Sequence, residues 1–305
     1  MIARRLFGST GMTVPVLTLG TNAFAAPCCD LDLAENTVVH AAANGIDCLE
    51  IDASRTEMIE WLGSVLRRSG LCRSISVLVR ARSAIPFNIP VPHMPFMKAY
   101  DMKALQQEAE ATTRRLGIER IALLQLHGWC PEWLNEGDWS LVFEEMRSSG
   151  TIAASGISLL DHDIQSGAET VATNAVDAVQ AMYNVFDPSA SGLFKLAADK
   201  GLGVVARSPL YFGALAGSPS RFAPSDWRAD YFYEEHARET ALRAATLGPE
   251  SASLALRYAA FHPAVSTLAV GLTSPEQVAS ALAAMAHGPL PEGQQADLNG
   301  HAWLV

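Results

Sequence analysis

Apolar residues along this chain gather in short runs separated by longer amphipathic stretches. The runs are VLTLG (16–20), IDCLEID (46–52), ISVLVRA (75–81), IALLQLH (121–127), IAASGIS (152–158), VDAVQAMY (176–183), GVVARS (203–208) and STLAVG (266–271). They are nearly continuous in hydrophobicity instead of alternating, the pattern of strands buried on both faces, as parallel strands covered by helices are. Between them, segments such as DLAENTVVHAAANG, TEMIEWLGSVLRRSG, DMKALQQEAEATTRRLG, WSLVFEEMRSSG and SPEQVASALAAM carry helical periodicity. Several end in glycine, where a helix C-terminus calls for positive φ. Eight such units in 305 residues predict an α/β fold, a (β/α)8 TIM barrel forming a single domain over residues 1–305. The opening segment RRLFGSTGMTV predicts a β-hairpin, with Ser-Thr-Gly as its turn, that plugs the barrel's N-terminal end.

Two irregular stretches break the alternation: SAIPFNIPVPHMPF (83–96) after the third strand and YFGALAGSPSRFAPSDWRADYFYEE (211–235) after the seventh. Long loops at the C-terminal ends of barrel strands are where this architecture keeps its active site.

Charge narrows the partners. The net charge is −10, and the 22 Lys and Arg residues are scattered, so the chain shows no footprint for nucleic acid or for an anionic membrane. A small-molecule substrate is the expected partner. MIARRLFGST lacks the apolar stretch of a secretory signal, and no segment approaches about 18 uninterrupted apolar residues, so a cytoplasmic location is expected. Five cysteines without a C-x-x-C pair argue against a disulfide framework or thiolate site. Eight histidines without H-E-x-x-H or an i, i+4 pair predict no metal.

Seven segments, in order, resemble the aldo-keto reductase family over nearly the whole chain. They are RRLFGSTGMTVPVLTLGTNAF, GIDCLEIDAS, RRLGIERIALLQLHGW, SSGTIAASGIS, VDAVQAMYNVFD, ARSPLYFGALAG and LAVGLTSPEQV. The resemblance implies reduction of a carbonyl by NADPH. In the family a tyrosine donates the proton, a lysine paired with an aspartate lowers that tyrosine's pKa, and a histidine orients the substrate oxygen. Asp52 and His127 match two of these four. The tyrosine position holds Glu57, followed by Met58, and the lysine position falls on Arg80 or Arg82, which share the inward parity. An arginine holds an oxyanion but is no tunable proton donor.

The resemblance further implies cofactor contacts at Thr21, Ser158, Gln180, Arg207, Ser208, Leu210, Gly271, Ser274 and Gln277, and a substrate pocket beside Trp129 and Asn22. Leu159 replaces the asparagine expected after Ser158. Thr273 stands where a cation usually grips the 2′-phosphate, which leaves NADP(H), NAD(H) or no cofactor open.

Simpler readings stand beside these. Asp52 also suits a strand-end cap, Ser54-Arg55-Thr56-Glu57 fits an S-x-x-E capping box, and Trp129 suits loop packing. A buried arginine needs a carboxylate, and Asp52 is the nearest expected. Tyr100, Tyr211, Tyr231 and Tyr233 are candidates for a replacement hydroxyl. Three functions follow: a nicotinamide-dependent reductase with a rebuilt proton donor; a non-redox dehydratase, lyase, isomerase or cyclase using His127, Asp52 and an arginine; or a nucleotide-binding homologue without catalysis.

Overall fold

A computed structural model describes residues 2–25, 29–85, 94–217 and 234–304. The hairpin strands β1 (Arg4–Leu6) and β2 (Thr13–Pro15) come first. Each of the eight apolar runs then contributes one strand: β3 (Leu17–Gly20), β4 (Cys48–Asp52), β5 (Ser76–Arg80), β6 (Leu123–His127), β7 (Ser155–Ser158), β8 (Ala178–Met182), β9 (Gly203–Arg207) and β10 (Thr267–Val270). Every pairing among these eight is parallel, and β10 closes onto β3, so the sheet is a complete barrel with no open edge.

The hairpin seals the N-terminal end. Phe7 and Val14 join an apolar cluster with the lower barrel residues Cys48, Leu78, Leu123, Ala178 and Val205. Phe7 fits only because residue 203 is glycine: a Cβ there would lie 2.7 Å from the ring. Arg5 ties the hairpin down, its Nη1 donating to the carbonyls of Ala260 and Val265 at 2.6 Å each.

Helices α1 (Leu31–Ala43), α2 (Thr56–Arg68), α3 (Phe96–Ala99), α4 (Met102–Leu116) and α5 (Trp139–Ser148) cover the first half of the barrel. Asp101 caps α4 by accepting from the Ala104 N–H at 2.7 Å, and Gly117 ends it at φ 73°. α2 and α4 pack so closely at Gly63 that a Cβ would come within 1.9 Å of the Arg115 carbonyl oxygen.

Strand register carries the chemistry to one end. Across neighbouring strands Asp52 sits opposite Arg80, Arg80 opposite Gln125, His127 opposite Ser158, and Ser158 opposite Gln180. Asp52, Arg80, His127, Ser158 and Arg207 are each the last residue of their strand. The barrel interior is therefore mostly apolar below, apart from the buried Thr18–Thr267 hydroxyl pair, and polar at its C-terminal mouth. Residues 86–93 and 218–233, which include most of the two irregular loops together with Tyr231 and Tyr233, lie outside the described residues.

Candidate active site

Arg80 is the centre of the mouth. Its Nε forms an ion pair with Glu50 Oε1 at 2.6 Å, while its Nη2 lies 3.6 Å from Asp52 Oδ2. The sequence pointed to Asp52 as the carboxylate for a buried arginine; the structure corrects this, placing Glu50 closer. Glu50 and Asp52 are two residues apart on β4 and so share its inward face. Burial of Arg80 works against its charge, but Glu50, Asp52 and Asp161 outweigh burial and raise its pKa. Arg82, two residues past Arg80, is exposed and sits outside the ladder. Of the two, Arg80 is the one paired with Asp52 in register.

Asp52 has a second set of partners. Its Oδ1 accepts from the Ser54 amide at 2.9 Å and from the Ser54 hydroxyl at 2.6 Å. Burial opposes its ionisation, yet Arg80 and the two Ser54 bonds prevail and hold the carboxyl below its usual range. Ser54 lies one residue before the N-cap of α2, so the expected capping box does not form. Arg55 occupies the N-cap of α2 without a side-chain bond, and Glu57 is exposed in the first turn of that helix. Glu57 neither caps nor enters the site.

His127 Nδ1 lies 3.0 Å from Ser158 Oγ. Burial, followed by the nearby Arg80 and Arg207 guanidiniums, drives its pKa well below the usual histidine value, with Asp52 opposing. The ring is accordingly neutral at pH 7. Arg207 is held in turn, its Nη1 on Asp161 and its Nη2 donating to the Leu159 carbonyl at 2.7 Å. Asp161 went unnoticed in the sequence, because nothing local ties it to a strand-end arginine 46 residues later.

The replacement tyrosines within the described residues are engaged elsewhere. The Tyr100 hydroxyl binds the backbone of His127 and is pushed upward in pKa by burial; the Tyr211 hydroxyl lies 2.9 Å from His236 Nε2. Trp129 is 1% exposed, with ring centroids 5.8 Å from Trp133 and 5.3 Å from Trp139. It packs the core beneath the loop instead of lining a substrate pocket, a correction to the expected contact.

The expected cofactor contacts lie around the same mouth. Thr21 Oγ1 donates to the Glu50 carbonyl at 3.0 Å, and Asn22 is exposed beside it. Ser208 takes φ 57°, and its carbonyl accepts from Asn184 Nδ2 at 3.2 Å; Leu210 is partly buried against the core. Gly271 follows β10, where a Cβ would stand 3.3 Å from the Ala23 side chain. Ser274 caps the helix Pro275–Ala286 by accepting from the Gln277 N–H at 3.3 Å, and Gln277 Oε1 accepts from the Thr273 N–H at 2.8 Å.

Two buried carboxamides test the fit of a nicotinamide. Gln180 Nε2 is 3.4 Å from Glu50 Oε1, but its oxygen has no partner among the described residues. An unpartnered acceptor beside Ser158 suits the amide N–H of a nicotinamide, so that end of the cofactor fits. Gln125, opposite Arg80 and missed in the sequence, has no partner among the described residues for either amide atom. No such fit extends to a 2′-phosphate at Thr273, whose N–H and hydroxyl both turn to Gln277. Among the described residues no group of three or more His, Cys, Asp or Glu is placed to hold a metal ion, and no helix is long and apolar enough to cross a membrane.

Comparison with known proteins agrees with this geometry. The model of the Aldo/keto reductase family matches residues 16–302. The holo form of the aldo-keto reductase AKR11C1 from Bacillus halodurans superposes with a TM-score of 0.77 at 22% identity, covering 100% of this chain and 98% of that one. No curated protein sequence matches the chain.

Proposed function

Because the chain belongs to the aldo/keto reductase family, we propose that it is a nicotinamide-dependent oxidoreductase that reduces the carbonyl group of a small molecule at the barrel mouth. His127 and Arg80 replace the family's tyrosine and lysine. The observation that carries this reading is the placing of His127, its Nδ1 3.0 Å from Ser158 Oγ, at the same barrel end where Asp52, Arg80 and Arg207 finish their strands.

Ser158 and Gln180 would hold the nicotinamide, while Ser208, Leu210, Gly271 and the start of the helix Pro275–Ala286 would take the phosphates. When bound, the nicotinamide supplies hydride to the carbonyl carbon. In the tautomer where the Ser158 hydroxyl donates to Nδ1, the His127 proton sits on Nε2, and this N–H donates a hydrogen bond to the oxygen on which charge develops. Arg80 adds a fixed positive charge. The His127 N–H and Arg80 stabilise the developing charge, and the alkoxide takes its proton from water entering the mouth. Asp52 and Glu50 keep Arg80 in place and ionised.

The test is titration with NADPH and with NADH, followed by hydride transfer to a panel of aldehydes and ketones, with His127→Ala as the comparison. Binding of a dinucleotide and turnover that falls roughly 100-fold or more in His127→Ala support the reading. No binding of either dinucleotide overturns it.

A second reading has its own support: Ser158, Gln180 and Gln277 each engage a group within the chain. A neutral His127 beside a cation equally suits proton abstraction next to a carbonyl. Conversion of a carbonyl compound to a product of the same oxidation level, without added dinucleotide, identifies that chemistry.

A further inference from the structure

We infer that Glu50, a residue outside the tetrad the family uses, is the positioning residue of this site and has taken over from Asp52 the fixing of the active-site cation. The inference rests on the reductase reading for its kinetic consequence but not for its structural one.

The interior of a small barrel is ordinarily filled by layers of branched apolar side chains. Here the lower layer keeps that character, and Glu50 stands in the layer above it, on the inward face of β4. Its carboxylate is shared by two partners from different sides of the barrel: Arg80 of β5 at 2.6 Å and Gln180 of β8 at 3.4 Å. Both lie within the cofactor and substrate region. Asp52, by contrast, stands 3.6 Å from the guanidinium, and one of its oxygens is committed to Ser54. The burial matches this division, since the Glu50 side chain is 7% exposed and that of Asp52 23%. A charge this buried is costly without a partner, so Glu50 and Arg80 fix each other.

Two orientations follow from one carboxylate. Pairing with Arg80 on its Nε side leaves the guanidinium edge bearing the two Nη atoms for Asp52 and a substrate oxygen. Holding Gln180 by its nitrogen leaves its oxygen, which has no partner among the described residues, as the acceptor presented to a ligand. Glu50 touches neither hydride donor nor acceptor; it acts through these two residues.

The experiment compares Glu50→Gln, Glu50→Asp and Asp52→Asn in the full chain. NMR of the arginine Nε–H groups, with Arg80→Gln used to assign the Arg80 signal, reads the ion pair in the free protein. The Arg80 Nε–H resonance is expected to be protected from exchange in the wild type, to lose that protection in Glu50→Gln, and to keep it in Asp52→Asn. In turnover, Glu50→Gln should lower kcat roughly 10- to 100-fold with KM changed less than about twofold, Asp52→Asn should cost less, and Glu50→Asp should recover part of the loss. If Asp52→Asn deprotects the Arg80 Nε–H as much as Glu50→Gln does, or if Glu50→Gln retains wild-type kcat, the inference is wrong. Where Glu50→Gln does not fold, Glu50→Asp carries the same comparison, because shortening the side chain should weaken the protection without removing its charge. A wild type that reduces no carbonyl refutes the reductase reading alone, since the NMR comparison needs no substrate.

Discussion

Tyr100 directs its hydroxyl at both backbone groups of His127, donating to the carbonyl oxygen at 2.8 Å and accepting from the N–H at 2.9 Å. A strand end at a barrel rim leaves such groups without a ladder partner, and here a phenol from the loop before α4 supplies both bonds. Tyr100→Phe would leave two largely buried backbone groups unpaired, at a cost of about 2–3 kcal/mol. Urea unfolding checks this value. Were Tyr100 the proton donor instead, the variant would lose turnover and keep its stability.

Titration of the site gives a second expectation, for stability against pH. The folded pKa of His127 lies well below its unfolded value, so on acidification the unfolded chain takes up the proton first. Stability is therefore full above about pH 6.5 and falls as pH drops from there toward the folded pKa, with a slope of at most about 1.4 kcal/mol per pH unit for this group. His236 and His262, both also lowered chiefly by burial, act in the same sense. Asp52 acts later: its depressed pKa contributes stability above about pH 3.9 that disappears as pH falls through the folded value. Thermal unfolding between pH 7 and 5 should show a shallower decline in His127→Gln than in the wild type, and an unchanged decline would contradict the neutral imidazole. Ser54→Ala should raise the Asp52 pKa, moving the low-pH loss upward.

The barrel was legible in the sequence because parallel strands covered on both sides read as unbroken apolar runs, and each run ends within two residues of a strand end. The same regularity put Asp52, Arg80, His127 and Ser158 at one end of it. Glu50 was harder to see, since a single carboxylate inside CLEID reads as an interruption; its parity with Asp52 was the available signal. Tyr100 and Asp161 reach the site through contacts from loops, and no spacing rule encodes those. The capping box failed for a local reason: α2 begins at Thr56, so Ser54 falls one residue before the N-cap, and its hydroxyl donates to Asp52. Trp129 was misplaced because sequence shows an aromatic next to a catalytic-type histidine but not the two tryptophans that enclose it.

Packing between helices offers a third test. Gly63 lies inside α2, where alanine would be favoured by about 1 kcal/mol on propensity alone. A Cβ there would lie 1.9 Å from the Arg115 carbonyl oxygen and 2.8 Å from its carbonyl carbon, both backbone atoms of α4. Gly63→Ala should accordingly destabilise the protein by about 1–3 kcal/mol, because the helices must separate. A stabilised variant in thermal unfolding would show that the two helices are not in this contact.

Cofactor preference follows from the start of the helix Pro275–Ala286. Thr273 directs its N–H and its hydroxyl to Gln277 Oε1, at 2.8 Å and 3.2 Å, so this turn is closed upon itself and presents no side-chain cation to a 2′-phosphate. NADPH and NADH should then bind with dissociation constants within about tenfold of each other, since a single charge-assisted contact of about 1.5–3 kcal/mol is what separates them when present. Thr273→Arg restores such a contact while leaving the Thr273 backbone bond to Gln277 possible. Fluorescence titration of the variant should show tighter NADPH binding with NADH little changed, and the gain should shrink as salt is raised from 50 to 500 mM, as about a threefold shorter Debye length requires. Equal gains for both dinucleotides would place the new guanidinium on the pyrophosphate they share.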